Sequence, residues 1–95
     1  MPVITAYCHC AVCCGRAGNL TAASTKPIPY VTIAAPRRIP FGTRIKIRHP
    51  TGWRTYIVQD RTARAHDGVF DIFLPSHEAA REFGRQILPV KICPP

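Results

Sequence analysis

The chain has 95 residues, 46% of them hydrophobic, which is enough for one packed interior and too little for two, so a single folded domain is expected. Ten prolines and six glycines are scattered along it, which argues against long helices and for short elements joined by turns. The formal net charge is +8, and ten of the thirteen basic residues are arginine, so an anionic partner is expected; no stretch is apolar for long enough to span a bilayer.

Taken in chain order, Val3 to Tyr7 alternates and is β-branched, which predicts a first strand. It runs into a loop holding Cys8, His9, Cys10, Cys13 and Cys14. From Arg16 to Pro29 small and polar residues predict an irregular connection, after which Tyr30 to Ala34 resumes a strand pattern. Arg44 to Arg48 has the cleanest period-two alternation, with Ile45 and Ile47 as its apolar face. His49-Pro50-Thr51-Gly52 reads as a hairpin loop, and Trp53 to Val58 as the returning strand, with Asp60 just past its end. A loop leads to Val69–Leu74, where Phe70, Ile72 and Leu74 share one face and Asp71 and Phe73 the other. One short helix is predicted over His77 to Phe83, capped by Ser76, with Glu78 in its first turn and Gly84 at its end. Leu88 to Ile92 forms the last strand. About six strands and one helix predict an all-β, closed barrel occupying residues 1–95 as a single domain.

Two constellations carry chemistry. Of five acids, Asp60, Asp67 and Asp71 fall within twelve residues. Carboxylates brought together raise each other's proton affinity, and glycosidic cleavage needs a carboxylic acid that still holds its proton near neutral pH. The plainer alternative is a set of loop acids paired with Arg61 and Arg64. The second constellation is Cys8, Cys10, Cys13 and Cys14 with His9, to which Cys93 could be added. Tetrahedral zinc could use such ligands, but the second ligand pair of known zinc patterns is missing, so disulfides or free thiols are expected ahead of a structural zinc. Cys93 would reach back to the first strand if the barrel closes. No cofactor is expected.

The stretch Ile57-Val58-Gln59-Asp60-Arg61 through Phe70-Asp71-Ile72-Phe73, followed by Ser76-His77-Glu78-Ala79-Ala80 and Phe83-Gly84, resembles the 3D (Asp-Asp-Asp) domain family. Thr5-Ala6-Tyr7, Ile33-Ala34-Ala35-Pro36 and Ile39-Pro40-Phe41-Gly42-Thr43 add to the match, which covers nearly the whole chain in order. The resemblance implies a six-stranded double-psi β-barrel like the C-terminal part of membrane-bound lytic transglycosylase A, acting on peptidoglycan or a related anionic glycan. It carries over Asp60 as acid and base and Asp71 as its partner. The family's first aspartate falls at Ala35, and the loop after the second is replaced by Thr62-Ala63-Arg64-Ala65-His66-Asp67, so Asp67 is not assigned a catalytic role. Tyr7 and Trp53 are the candidates for stacking on sugar rings, and Arg61 completes the expected substrate-binding set.

The expected activity is therefore glycan-strand cleavage of the lytic transglycosylase type, in preference to hydrolysis. A non-catalytic glycan-binding or phage structural module is the alternative, supported by Ala35 and the altered loop. Nucleic-acid binding rests on charge and cysteines alone and is not expected. Met1-Pro2-Val3-Ile4-Thr5 lacks the basic and apolar regions of a secretion signal, so either a mature form cut from a precursor or a phage virion or lysis protein is expected, acting on the cell envelope as a monomer.

Overall fold

A computed structural model describes residues 2–8, 20–62 and 68–95. Its elements are β1 (Val3–Tyr7), β2 (Thr32–Ala35), β3 (Arg44–His49), β4 (Gly52–Arg61), β5 (Val69–Phe73), the helix α1 (His77–Phe83), β6 (Gln86–Ile87) and β7 (Val90–Cys93). The fold is mostly β with one short helix, and the strands form a single curled sheet in the order β6-β1-β5-β2-β4-β3-β7.

Seven strands stand where six were expected: Gln86–Ile87 forms an unanticipated strand, and the last predicted strand, Leu88 to Ile92, is observed as Val90–Cys93. Pro89 has no N–H to give to a ladder, and the chain breaks around it. β6 pairs with β1 at one edge of the sheet and β7 with β3 at the other. Laid flat, seven strands would separate those edges by roughly 29 Å. Only residues 88 and 89 join β6 to β7, so the ends of those strands lie no more than about 11 Å apart, and the sheet must curl. The link ties both edges: Leu88 N–H donates to the Pro2 carbonyl (3.4 Å) and Arg48 N–H donates to the Pro89 carbonyl (3.0 Å).

The middle of the sheet has a repeated logic. The consecutive strands β1 and β2 flank β5, parallel and antiparallel to it respectively. The strands β4 and β5, joined by a single connection, likewise flank β2, parallel and antiparallel to it. Each of the two connections therefore steps over one strand.

Side chains of the inner face make the core. Ile4, Ile33, Ala35, Ile45, Ile47, Tyr56, Val58, Phe70 and Ile72 are buried there, joined by Ile39 and Leu74. The alternation read in β3 is observed, with Ile45 and Ile47 fully buried between exposed Arg44, Lys46 and Arg48. Hairpin β3–β4 closes through Pro50 and Thr51, since His49 and Gly52 are the last register pair, and Gly52 has φ of 126°, which its missing Cβ permits. Helix α1 has the predicted bounds; Ser76 Oγ accepts from Ala79 N–H at 3.1 Å, and Gly84 ends it at φ 68°.

Candidate functional site

Asp71 lies in the middle of β5, where period-two alternation turns it away from Phe70 and Ile72 and onto the outer face of the sheet. Its register partner on β1 is Thr5, and on β2 it is Ala34. Thr5 Oγ1 donates to Asp71 Oδ1 at 2.9 Å.

Asp60 reaches the same face by a less regular route. Strand β4 runs three residues beyond the predicted end at Val58, so Asp60 is within the strand rather than past it. Strict alternation from buried Val58 would then aim Asp60 into the core. The ladder between β2 and β4 slips instead: Ile33 pairs with Val58, Ala34 with Asp60, and Gln59 is the extra residue of a bulge. That one-residue slip moves Asp60 to the side of Ala34. The bulged Gln59 is held by Thr32 Oγ1, which donates to its Oε1 at 2.6 Å, and by Ala23 N–H, which donates to its carbonyl at 3.0 Å.

Asp60 and Asp71 thus stand level with Ala34 on its two sides, with their backbones roughly 10 Å apart across two strand spacings. Around Asp60 the donors are numerous. Tyr7 Oη donates to Oδ2 at 2.7 Å, while Ala22 N–H (3.0 Å) and Arg61 N–H (2.9 Å) donate to Oδ1. Tyr7, Ala34 and Phe73 form a small buried apolar group on this face, Tyr7 meeting Phe73 edge-on at 5.5 Å between ring centroids. The connection leading to β2 closes one side, since Tyr30 N–H donates to the Phe73 carbonyl at 3.0 Å.

Of the residues expected to bind substrate, only Tyr7 is at the acid pair, and it touches Asp60 through its hydroxyl. Arg61 shares a register position with core-facing Ala35, so its side chain leaves by the other face. There Nη1 donates to the carbonyls of Ile39 (2.7 Å) and Pro36 (3.2 Å), and the guanidinium lies 3.9 Å from the Phe41 ring centroid. Burial and nearby Arg37 lower its pKa, partly offset by Asp60, and its evident task is to pin the 36–41 turn to β4. Trp53 lies seven residues before Asp60, at the opposite end of β4 and roughly 20 Å along the strand, too far to stack on a sugar held between the two acids. Thr5, Ala22 and Ala34 were not anticipated; the Thr5/Tyr7 alternation of β1 was the available signal for the first.

Cys8 is buried, and Cys93 is a partly buried free thiol. The expected reach of Cys93 back to the first strand is not made, because β7 pairs with β3 and Cys93 is opposite Arg44. Cys10, Cys13, Cys14, His9, Arg64, His66 and Asp67 lie outside the described residues. Among the described residues no group of three His, Cys, Asp or Glu side chains is placed to hold a metal ion. Among them also, no helix is long and apolar enough to cross a membrane.

In comparison with known proteins, no family model and no curated sequence matches the chain.

Proposed function

We propose that this protein cleaves the glycan strand of peptidoglycan by lytic transglycosylase chemistry, on a double-psi β-barrel of the three-aspartate kind. The observation that carries the reading is the bulge at Gln59, which turns Asp60 onto the face of Asp71 at the level of Ala34. Two connections that each step over one strand are what a double-psi topology requires, and the curl of the sheet suits a barrel. On this reading the protein works at the cell envelope.

Backbone donors from Ala22 and Arg61 orient Oδ1 of Asp60, which leaves Oδ2, shared with the Tyr7 hydroxyl, as the oxygen through which a proton would pass. Protonated there, Asp60 gives its proton to the glycosidic oxygen as the bond to the anomeric carbon breaks. The same oxygen then takes the proton of the sugar's 6-hydroxyl as that oxygen closes on the anomeric carbon, leaving a 1,6-anhydro end. Asp71, oriented by Thr5, supports the positive charge that develops on the sugar. Incubation of peptidoglycan with the protein and its Asp60→Asn variant tests this: anhydro-ended muropeptides from the first and none from the second are expected. Equal release by both would remove Asp60 from the mechanism.

One observation favours a second reading. Both oxygens of Asp60 already receive protein donors, drawn from β1, the connection before β2, and β4 itself, as a carboxylate stapling these segments together would. A non-catalytic glycan-binding module fits that pattern. Retention on insoluble cell wall with no muropeptide release from the unaltered protein is its signature.

A further inference from the structure

The outer face at the other end of the sheet has a different character. Along β3, Arg44, Lys46 and Arg48 all point outward, successive side chains roughly 6.8 Å apart. On one flank Lys46 is in direct register with Lys91 of β7, and on the other with Thr55 of β4. Arg48 is in register with Trp53, an exposed indole over which the Lys91 ammonium sits at 5.1 Å. None of the acids among the described residues is here: Asp60 and Asp71 belong to the far end of β4 and to β5, and Glu78 and Glu82 to α1.

Like charges directly opposite on neighbouring strands destabilise a sheet, so the Lys46–Lys91 pair works against the fold. The Trp53 ring offsets part of this by attracting one ammonium. A row of cations at regular spacing, held against its own repulsion, is matched by a ligand with regularly spaced negative charges. We infer that the outer face of β4, β3 and β7 binds a linear phosphodiester polymer of the teichoic type, with Arg44, Lys46, Arg48 and Lys91 facing successive phosphates. A poly(alditol phosphate) is favoured over single-stranded nucleic acid because nucleic-acid grooves offer several aromatic platforms for bases. This face has one aromatic side chain, and Lys91 already covers one side of it. The inference does not require that Asp60 cleave glycan.

Trp53 is the single tryptophan of the chain and reports on the face directly. Titration of its fluorescence with poly(glycerol phosphate) is expected to saturate. Four phosphate contacts predict affinity falling roughly 50-fold between 50 and 200 mM salt, on a slope near −0.7 per contact. Lys46→Glu is expected to weaken binding roughly tenfold or more while raising the thermal midpoint by roughly 2–4 °C, since it converts a like-charge pair into an opposite one. That divergence separates loss of the site from loss of the fold, and Lys46→Gln gives the same sign more weakly. Arg85→Glu, the same charge change off strands β3, β4 and β7, is expected to leave affinity within about twofold of the unaltered protein. Equal loss with Arg85→Glu, no saturable response to poly(glycerol phosphate), or tighter binding of oligo(dT) than of the polymer would each overturn the inference. Failure of glycan cleavage would leave it standing.

Discussion

The hydroxyl of Tyr7, at the end of β1, donates to Oδ2 of Asp60, near the end of β4, at 2.7 Å. Tyr7 is buried, so this bond does more than decorate a surface. Tyr7→Phe keeps the ring against Phe73 and removes only the donor. A hydrogen bond to a charged group contributes about 1.5–3 kcal/mol, and the variant should lose an amount in the lower part of that range in urea unfolding. If Asp60 passes a proton, muropeptide release should also fall roughly tenfold. Lower stability with unchanged release would make Tyr7 a structural tie only.

The bulge offers a sharper test of how Asp60 is aimed. Deleting Gln59 removes the extra residue, so Asp60 follows Val58 directly and plain alternation keeps it on the outer face beside Ala34. The deletion gives up the bonds that Thr32 and Ala23 make to Gln59 and should lower stability by about 1–3 kcal/mol while muropeptide release persists. Gln59→Ala keeps the bulge but leaves Thr32 without its acceptor, and should cost about 1 kcal/mol. A folded deletion variant without release would show that the bulge sets more than the face on which Asp60 stands.

What could be read beforehand divides along the range of the interactions. Strand β3 was legible from Ile45 and Ile47, and α1 from Ser76 and Gly84, because a pleat and a cap are written into neighbouring residues. Asp71 was placed on the right face for the same reason. The bulge was not legible: it exists only in the register of β4 against β2, a pairing between residues 25 or more positions apart, and no local feature marks Gln59 as the extra residue. Trp53 was misplaced for a related cause, since ending β4 at Val58 hid how far that strand separates it from Asp60. Pro89 was a usable sign that the last strand starts at Val90 rather than Leu88, while the two-residue β6, Gln86–Ile87, is too short to leave a pattern and its omission gave six strands in place of seven.

Ala35 occupies the position where the resemblance puts a first aspartate, and its side chain is fully buried in the core cluster with Ile33 and Ile39. Ala34, not Ala35, faces the acid pair. Introducing a carboxylate by Ala35→Asp should therefore destabilise the protein by roughly 3 kcal/mol or more without raising muropeptide release. A folded Ala35→Asp variant with enhanced release would mean that this position turns toward the site.

At the end of β3, His49 Nε2 lies 2.8 Å from the Tyr56 hydroxyl, against the rings of Tyr56 and Phe83. Burial, and secondarily the charge of Arg54, lower the His49 pKa below its ordinary value, while burial raises that of Tyr56 despite Arg54. At neutral pH the ring is then uncharged, and Nε2 and the Tyr56 hydroxyl share one hydrogen bond. The unfolded chain binds a proton at His49 near pH 6.5, and the folded chain only below that. In the window just under pH 6.5 the unfolded state therefore carries more protons, so stability attributable to His49 is intact above it and declines as pH falls through the folded value. Chemical denaturation at pH 7 and pH 5 should show the decline in the unaltered protein. His49→Gln, which keeps an acceptor for Tyr56 but does not titrate, should show a smaller difference between the two. An identical decline in both proteins would assign the pH dependence to other groups.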